Sequence, residues 1–307
     1  MTRVVITGAT GMIGRALTSA VLTRGDEVVA LTRDKRRGRE ALGDPVEVYA
    51  WPAPSEAPPP EAALRGADAV VNLLGETVAQ RWTPQAKRAI HDSRVLGTRS
   101  LVAGLEALSS AHRPSVLVSQ SAIGFYGPHD DQPVDEESSA GSDFLAQVVL
   151  AWEREALAAV QQTRVVLTRT GVVLSPDGGA LAKMLPFFRL GLGGPVAGGK
   201  QYVPWVHLDD VVGALLRCLY GRDAVGPVNV TASNPVTNAE LSRALGHVLG
   251  RPAVLPVPAA ALKLLYGEMA QIVTTGQRAI PARLRSLGYE FRHPEVEAAL
   301  RDVLARP

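Results

Sequence analysis

An α/β fold with a doubly wound parallel sheet is predicted by three features of this sequence. Val4-Val5-Ile6 has the character of a buried strand, and it runs straight into Thr7-Gly8-Ala9-Thr10-Gly11-Met12-Ile13-Gly14. Apolar strands then alternate with helical segments as far as residue 170, the rhythm a parallel sheet imposes because each crossover needs a helix. Of the 307 residues, 46% are hydrophobic, enough for one large α/β domain or a domain with a smaller lobe.

The glycine turn has a mechanism. Gly8 permits a tight turn after the strand, Gly11 lets the backbone approach a pyrophosphate, and Gly14 lets the helix pack close to the sheet. Thr10, Met12 and Ile13 belong to the same seat, where unpaired N–H groups and the positive end of the helix dipole meet the anion. The spacing is Gly-x-x-Gly-x-x-Gly, and Ile13, Ala16, Leu17 and Val21 follow at helical intervals.

Along the chain, Glu27 to Thr32 reads as the second strand, after a helix ending near Arg24-Gly25. Pro52, Pro54 and Pro58-Pro59-Pro60 mark an extended surface loop. Ala69 to Leu74, Ser115 to Ser119 and Arg164 to Thr170 read as buried strands. Gln85 to Ala107 carries helical spacing, as one helix or two, and Asp143 to Val160 reads as one long helix. After Gly171 the pattern loosens into glycine-rich loops around a helix at Ala180 to Arg189. Val206 to Tyr220 returns to a strand end and helix, Val228 to Val230 reads as one more parallel strand, and three or four short helices precede a last segment at Pro294 to Leu304.

Several function classes are disfavoured. A formal charge of +2 leaves no footprint for nucleic acid or an anionic membrane. No run of eighteen apolar residues exists, and the start of the chain lacks the pattern of a secretory leader. The single cysteine, Cys218, lies in an apolar run and allows no disulfide within the chain, which fits the cytoplasm. The six histidines show no metal-ligand spacing, so no metal is expected. Asp130-Asp131 and Asp135-Glu136-Glu137 read as a solvated acidic loop.

The end of the second strand addresses the choice of dinucleotide. Sites for NAD place an acidic residue there to bind the ribose hydroxyls. Here Thr32 and Arg33 occupy that place, and a guanidinium pairs with a 2′-phosphate. Lys35, Arg36 and Arg37 add positive potential. A small register shift would instead aim Asp34 at the ribose. The favoured cofactor is NADP(H).

Gly8 to Gly14, Asn72-Leu73-Leu74-Gly75-Glu76, Ser93 to Thr98, Ser121 to Gly127 and Trp205 to Val211 together resemble the extended short-chain dehydrogenase/reductases. Arg81-Trp82, Asp143-Phe144-Leu145, Trp152-Glu153, Thr170 to Leu174 and Gly191 to Pro195 narrow the likeness to its atypical "epimerase family protein" branch, sugar-nucleotide epimerase-like, with a C-terminal domain of unknown function. The resemblance implies a Rossmann-type NADP-binding domain over 1–172 plus 206–232, and a mainly helical substrate-side lobe over 173–205 plus 233–307. It implies cofactor contacts from Leu73, Leu74 and Gly75 after the fourth strand and from Val173 after the sixth. It places Arg94 where related enzymes carry an active-site asparagine, within reach of a phosphate or substrate anion. It also implies a small-molecule substrate, a monomer or homodimer, and a cytoplasmic location.

The resemblance brings one departure. Extended members use Ser or Thr with a Tyr-x-x-x-Lys pair, in which the tyrosine exchanges a proton with substrate and the lysine lowers its pKa. Ser121 matches the serine, but Phe144 and Val148 stand at the tyrosine and lysine positions and transfer no proton. Tyr126 is the nearest titratable hydroxyl; it acts as acid if a cation such as Arg94 lowers its pKa, or packs as an aromatic wall. Glu76 is either an acid/base group, an orienter for Arg94, or a capping carboxylate. Trp82, Trp205 and His207 are candidates to line the cleft. Hydride transfer at a carbinol or carbonyl carbon is therefore the expected reaction, and an NADP(H)-binding sensor or scaffold without turnover is the alternative.

Overall fold

The computed structural model describes residues 1–305. Seven strands form one parallel sheet: β1 (Arg3–Thr7), β2 (Glu27–Thr32), β3 (Val46–Ala50), β4 (Ala69–Asn72), β5 (Val116–Ala122), β6 (Arg164–Thr170) and β7 (Gly226–Val230). Their order is β7-β6-β5-β4-β1-β2-β3. The winding reverses between β1 and β4, so the loops after these two strands diverge and leave a crevice at their carboxyl ends.

Helices cover both faces. On one side α1 (Met12–Thr23) packs with α6 (Leu208–Tyr220), and Leu17, Val21, Val211, Leu215 and Leu219 join Val4, Ile6 and Val118 in a single buried cluster. On the other, α3 (Pro84–Glu106) packs with α4 (Phe144–Leu157), burying Leu101, Leu105 and Ala156 against Val5, Val70 and Leu117. With both faces covered, the strands read as unbroken apolar runs rather than alternating ones.

Two local readings change. β3 adds a strand that the apolar pattern does not mark, because it is a short edge strand whose Glu47 faces solvent. The segment at Gln85 to Ala107 is one 23-residue helix. Its interior glycines are close-packing positions, not breaks: a Cβ at Gly104 would meet Pro59 at 3.0 Å and Leu64 at 3.1 Å.

Beyond the sheet, α5 (Gly179–Arg189), α7 (Asn238–Leu249) and α9 (Val296–Ala305) enclose a second core of Leu181, Leu185, Phe188, Trp205, Leu245 and Leu300. The segment Ala279–Leu287, from the stretch expected in the second lobe, packs on the sheet domain instead: Leu284 and Leu287 join the α1–α6 core. Residues 306 and 307 of that expected lobe lie outside the described residues. No described helix is long and apolar enough to cross a membrane.

Candidate functional site

At the carboxyl end of β1 the chain turns into α1, and three glycines shape this candidate seat in different roles. Gly8 takes a positive φ of 63°, and a Cβ there would lie 2.6 Å from the Leu73 carbonyl. A Cβ at Gly14 would lie 2.3 Å from the Gly8 carbonyl, so helix and strand touch through hydrogen atoms alone. A Cβ at Gly11, by contrast, would meet only the Gly8 carbonyl, at 3.3 Å; its outer side is open. The first N–H of α1 used inside the helix is that of Arg15, which donates to Gly11. Those of Met12, Ile13 and Gly14 make no hydrogen bond to the described protein and point out of the helix end.

The walls of this seat come from neighbouring strands. The Thr7 hydroxyl donates to Asn72 Oδ1 at 2.8 Å and accepts the Leu73 N–H at 2.9 Å. Asn72 in turn donates to Thr98 and Ser119, so buried amide and hydroxyl groups fix where the chain leaves β4. Leu73, Leu74 and Gly75 follow directly. Val173 lies on a short strand, Val172–Leu174, paired with Trp205–His207. The turn after it reaches the start of α1, where a Cβ on Gly178 would stand 3.7 Å from the Met12 sulfur.

At the end of β2, Thr32 is buried and donates to the Asp34 carbonyl. Asp34 caps α2 (Lys35–Leu42), accepting the Arg37 N–H at 3.0 Å. Its carboxylate is committed to that helix, and the register that would aim it at a ribose is not adopted. The Arg37 N–H holds that carboxyl below the usual carboxylate range. Arg36 pairs with Glu40 and Arg37 with Asp34. Arg33 is exposed and makes no hydrogen bond or ion pair with another described residue.

Arg94 and Glu76 meet after β4. Arg94 donates through Nη1 to the carbonyls of Glu76 (2.9 Å) and Ile90 (3.2 Å), and its guanidinium lies 5.3 Å from the Trp152 ring centroid. Gly75 packs on it so closely that a Cβ would sit 3.0 Å from Nη2. No carboxylate of the described residues lies within ion-pair distance of it. Burial lowers its pKa to about 10, opposed by the charge of Glu76. A half-buried cation bonded only to carbonyls keeps capacity for an external anion. The Glu76 carboxylate accepts the Thr77 N–H at 3.0 Å.

The remaining candidates are placed differently from expectation. Ser121 and Tyr126 are each 1% exposed. The Ser121 hydroxyl donates to Glu153 at 2.6 Å, Glu153 binds the Arg169 guanidinium at 2.8 and 2.9 Å, Arg169 donates to the Tyr126 oxygen at 3.0 Å, and Tyr126 donates to Asn229 at 2.8 Å. The expectation that Arg94 lowers the Tyr126 pKa is corrected. The neighbouring cation is Arg169, and burial outweighs it, pushing the phenol up to about 12. Burial alone would lower Arg169, but its bonds to Glu153 hold it above its ordinary value. Trp205 and His207, expected along the cleft, are 1% and 0% exposed. His207 caps α6 and stacks on His293 at 3.7 Å. Glu136, expected in solvent, is half-buried and accepts the N–H groups of Asn229 and Arg283; burial raises its pKa.

Phe144 opens α4 and meets Trp82 edge-on at 5.1 Å, with the Lys87 ammonium 5.0 Å from its ring centroid. Leu145, one residue on, stands against Gly124, and Val148 and Val149 are both buried. A register shift of one residue therefore leaves the Tyr-x-x-x-Lys positions apolar all the same. Trp82, Gly124, Asp143, Leu145, Ile272 and Gln277 line a cavity of about 70 Å³ at this end of β5. A larger groove, about 540 Å³, runs along α2 and β3 and includes none of these residues.

Sequence reasoning missed Glu153, Arg169 and Asn229 as a unit. The available signal was Arg169, an arginine well inside the strand Arg164–Thr170 rather than at its start, because a buried charge demands a partner. Two buried groups, one inside this network and one outside it, set an alkaline limit. Tyr126 and the fully buried Cys218 thiol are both pushed up by burial, each to about 12. The folded state holds these protons while the unfolded chain releases them near 10 and 9. The stability these two protons contribute is thus fully present below about pH 9 and is lost as pH rises toward about 12, by about 1.4 kcal/mol per pH unit per group. Urea midpoints measured across this range should fall less steeply in Tyr126→Phe; an identical slope in both proteins would reject the assignment.

Comparison with known proteins agrees with this geometry. The model of the NAD dependent epimerase/dehydratase family matches residues 4–230, and a domain of unknown function, DUF1731, matches residues 257–303. "Epimerase family protein SDR39U1 homolog, chloroplastic" of Arabidopsis thaliana is 40% identical over 299 residues, covering 97% of this chain and 86% of its own. The crystal structure of human epimerase family protein SDR39U1 (isoform 2) with NADPH superposes with a TM-score of 0.87 at 34% identity, over 98% of this chain and 99% of that one. A nucleoside-diphosphate sugar epimerase from Corynebacterium glutamicum gives 0.76 at 32% identity, with 98% of this chain covering 58% of that protein. The seven-stranded sheet, the glycine turn and these matches together show that the chain belongs to the NAD dependent epimerase/dehydratase family, in its atypical short-chain dehydrogenase/reductase branch.

Proposed function

We propose that the protein binds NADP(H) at the carboxyl ends of β1, β2 and β4 and transfers a hydride to or from a carbinol or carbonyl carbon of a small molecule. The carrying observation is the open seat at Gly11, where the N–H groups of Met12, Ile13 and Gly14 have no protein partner. Arg33, without an ion pair and beside a capped Asp34, supports the 2′-phosphate over a free ribose hydroxyl. The human relative with NADPH supports the same choice. Gly8, Thr10, Gly14, Thr32, Leu73, Leu74, Gly75 and Val173 complete the cofactor set.

In this reading Arg94 holds an anionic group of cofactor or substrate, and Glu76, in the loop beside it, is the first candidate for moving a proton. Ser121 and Tyr126 act from beneath, through Glu153 and Arg169, as positioning groups. A cytoplasmic location belongs to the reading and rests on the single buried cysteine.

Arg33→Ala is expected to weaken NADPH binding roughly 10- to 100-fold and to leave NADH nearly unchanged, since a hydrogen bond to a charged group contributes about 1.5–3 kcal/mol. Fluorescence titration with both cofactors measures this, and equal wild-type affinity for the two would reject NADP(H) selectivity. Oxidation of NADPH against a panel of carbonyl compounds and sugar nucleotides tests turnover. No oxidation with any member would favour the sensor reading, in which Phe144 and Val148 mark a site without a proton path.

A further inference from the structure

We propose that the face formed by residues 187–192 and 251–266 docks the protein onto an anionic lipid bilayer. The helix α8 (Ala259–Tyr266) has no buried residue. Its sequence, Ala-Ala-Ala-Leu-Lys-Leu-Leu-Tyr, turns Leu264 and Leu265 outward at 79% and 64% exposed, while Leu262 is half-buried. A surface helix ordinarily shows the opposite arrangement, with polar residues outward.

The helix is not alone. Val254 (75%) and Leu190 (73%) are as exposed, and Phe187 is exposed with them. The two segments are knit into one surface: the Leu255 N–H donates to Gly193, the Val257 N–H to Pro195, and the Ala197 N–H back to Val257. Exposed apolar side chains gathered on two segments joined in this way mark a binding surface rather than scattered exposed residues.

Charge selects the occupant. Residues 183–200 and 250–267 contain no Asp or Glu, whereas Arg189, Arg251 and Lys263 lie beside Leu190, Pro252 and Leu264 in the chain. Glu268, just beyond, is ion-paired with Lys87. The near-neutral total of +2 thus conceals a locally cationic, apolar face. A second copy docked through the same face would set these cations against one another without a carboxylate to pair them. Leucines outward, lysine and arginine at the margin and aromatic rings between them are how an interfacial helix seats in the headgroup region. The whole-chain charge balance, which by itself disfavours a membrane surface, averages this face away.

Sedimentation of the 307-residue chain with vesicles of phosphatidylcholine alone, and of phosphatidylcholine mixed with phosphatidylglycerol, tests the proposal. Binding is expected to the mixed vesicles only, with release at about 1 M salt. Lys263→Ala should lower partitioning about fivefold, and Leu264→Asp about tenfold or more. Leu264→Ser, which adds no charge, should act in the same direction to a smaller extent, and Leu157→Asp, at an exposed leucine of α4, should change nothing. Failure to sediment with the mixed vesicles overturns the proposal. So does a dimer by light scattering that Leu264→Asp dissociates, which would give the face to a second copy.

Discussion

Gly11→Val is expected to abolish binding of NADPH and NADH while leaving the chain folded. The two halves of this result have separate causes. Gly11 has ordinary extended backbone, with φ −73° and ψ 171°, so a side chain meets no conformational barrier. Among the described residues beyond its chain neighbours, the atom a Cβ there would meet is the Gly8 carbonyl oxygen at 3.3 Å, a contact that a few tenths of an ångström relieve. The branched carbons of valine would then fill the space in front of Met12, Ile13 and Gly14, whose N–H groups are the proposed seat for the anion. Loss of at least about 100-fold in affinity is expected, since more than one charge-assisted hydrogen bond of about 1.5–3 kcal/mol is lost. Gly14→Ala is the contrast: its Cβ would lie 2.3 Å from the Gly8 carbonyl and 2.7 Å from Ala9 Cα, so it should damage folding itself. Calorimetric titration with a thermal melt of each variant separates the two effects. A folded Gly11→Val protein that still binds NADPH would place the pyrophosphate elsewhere.

Glu153→Ala should be the most destabilising single change of a charged residue in the site. Glu153 and Arg169 have side chains 8% and 5% exposed, and Arg169 is bonded to both carboxylate oxygens. Removing the carboxylate strands a buried guanidinium, leaves the Ser121 hydroxyl without its acceptor, and loosens the Tyr126–Asn229 contact. Breaking a buried ion pair from one side typically costs about 3–5 kcal/mol, which for a chain of this size lowers the melting temperature on the order of 10 °C. The double variant Glu153→Leu, Arg169→Met should recover much of the loss, because replacing both charges by apolar groups removes the unpaired ion. Urea denaturation of the wild type, the single variant and the double variant measures both differences. A single variant within about 1 kcal/mol of wild type would show that the network is dispensable.

The strand–glycine–helix unit was legible because its physics is local. A buried strand, a residue that must take positive φ at Gly8 and a helix start without side-chain caps all lie within a dozen residues. Thr32-Arg33 was legible for the same reason, as the end of an adjacent strand in the same crossover unit. The orientation of Asp34 was not, since its choice between ribose and helix cap depends on a single backbone turn that α2 settles.

Tyr126 shows where reading along the chain stops. In sequence it stands five residues from Ser121, and both sit near the carboxyl end of β5. Their hydroxyls nevertheless turn toward α4 and β6, because Arg169, well inside its strand, must find Glu153 and draws every nearby polar group into its satisfaction. The partners come from residues 121, 126, 153, 169 and 229, and only the packed sheet brings them together.

The amino-acid sequence by itself determined the parallel α/β fold, the glycine turn between β1 and α1 and the basic end of β2, since strand burial, glycine conformation and helix-end charge act over a few residues. The tertiary structure alone decided which hydroxyls are drawn into the buried network, that Arg94 is bonded to carbonyls, and that α8 carries its leucines on the outside. Those outcomes depend on desolvation and on partners distant in the chain, and no local preference encodes either.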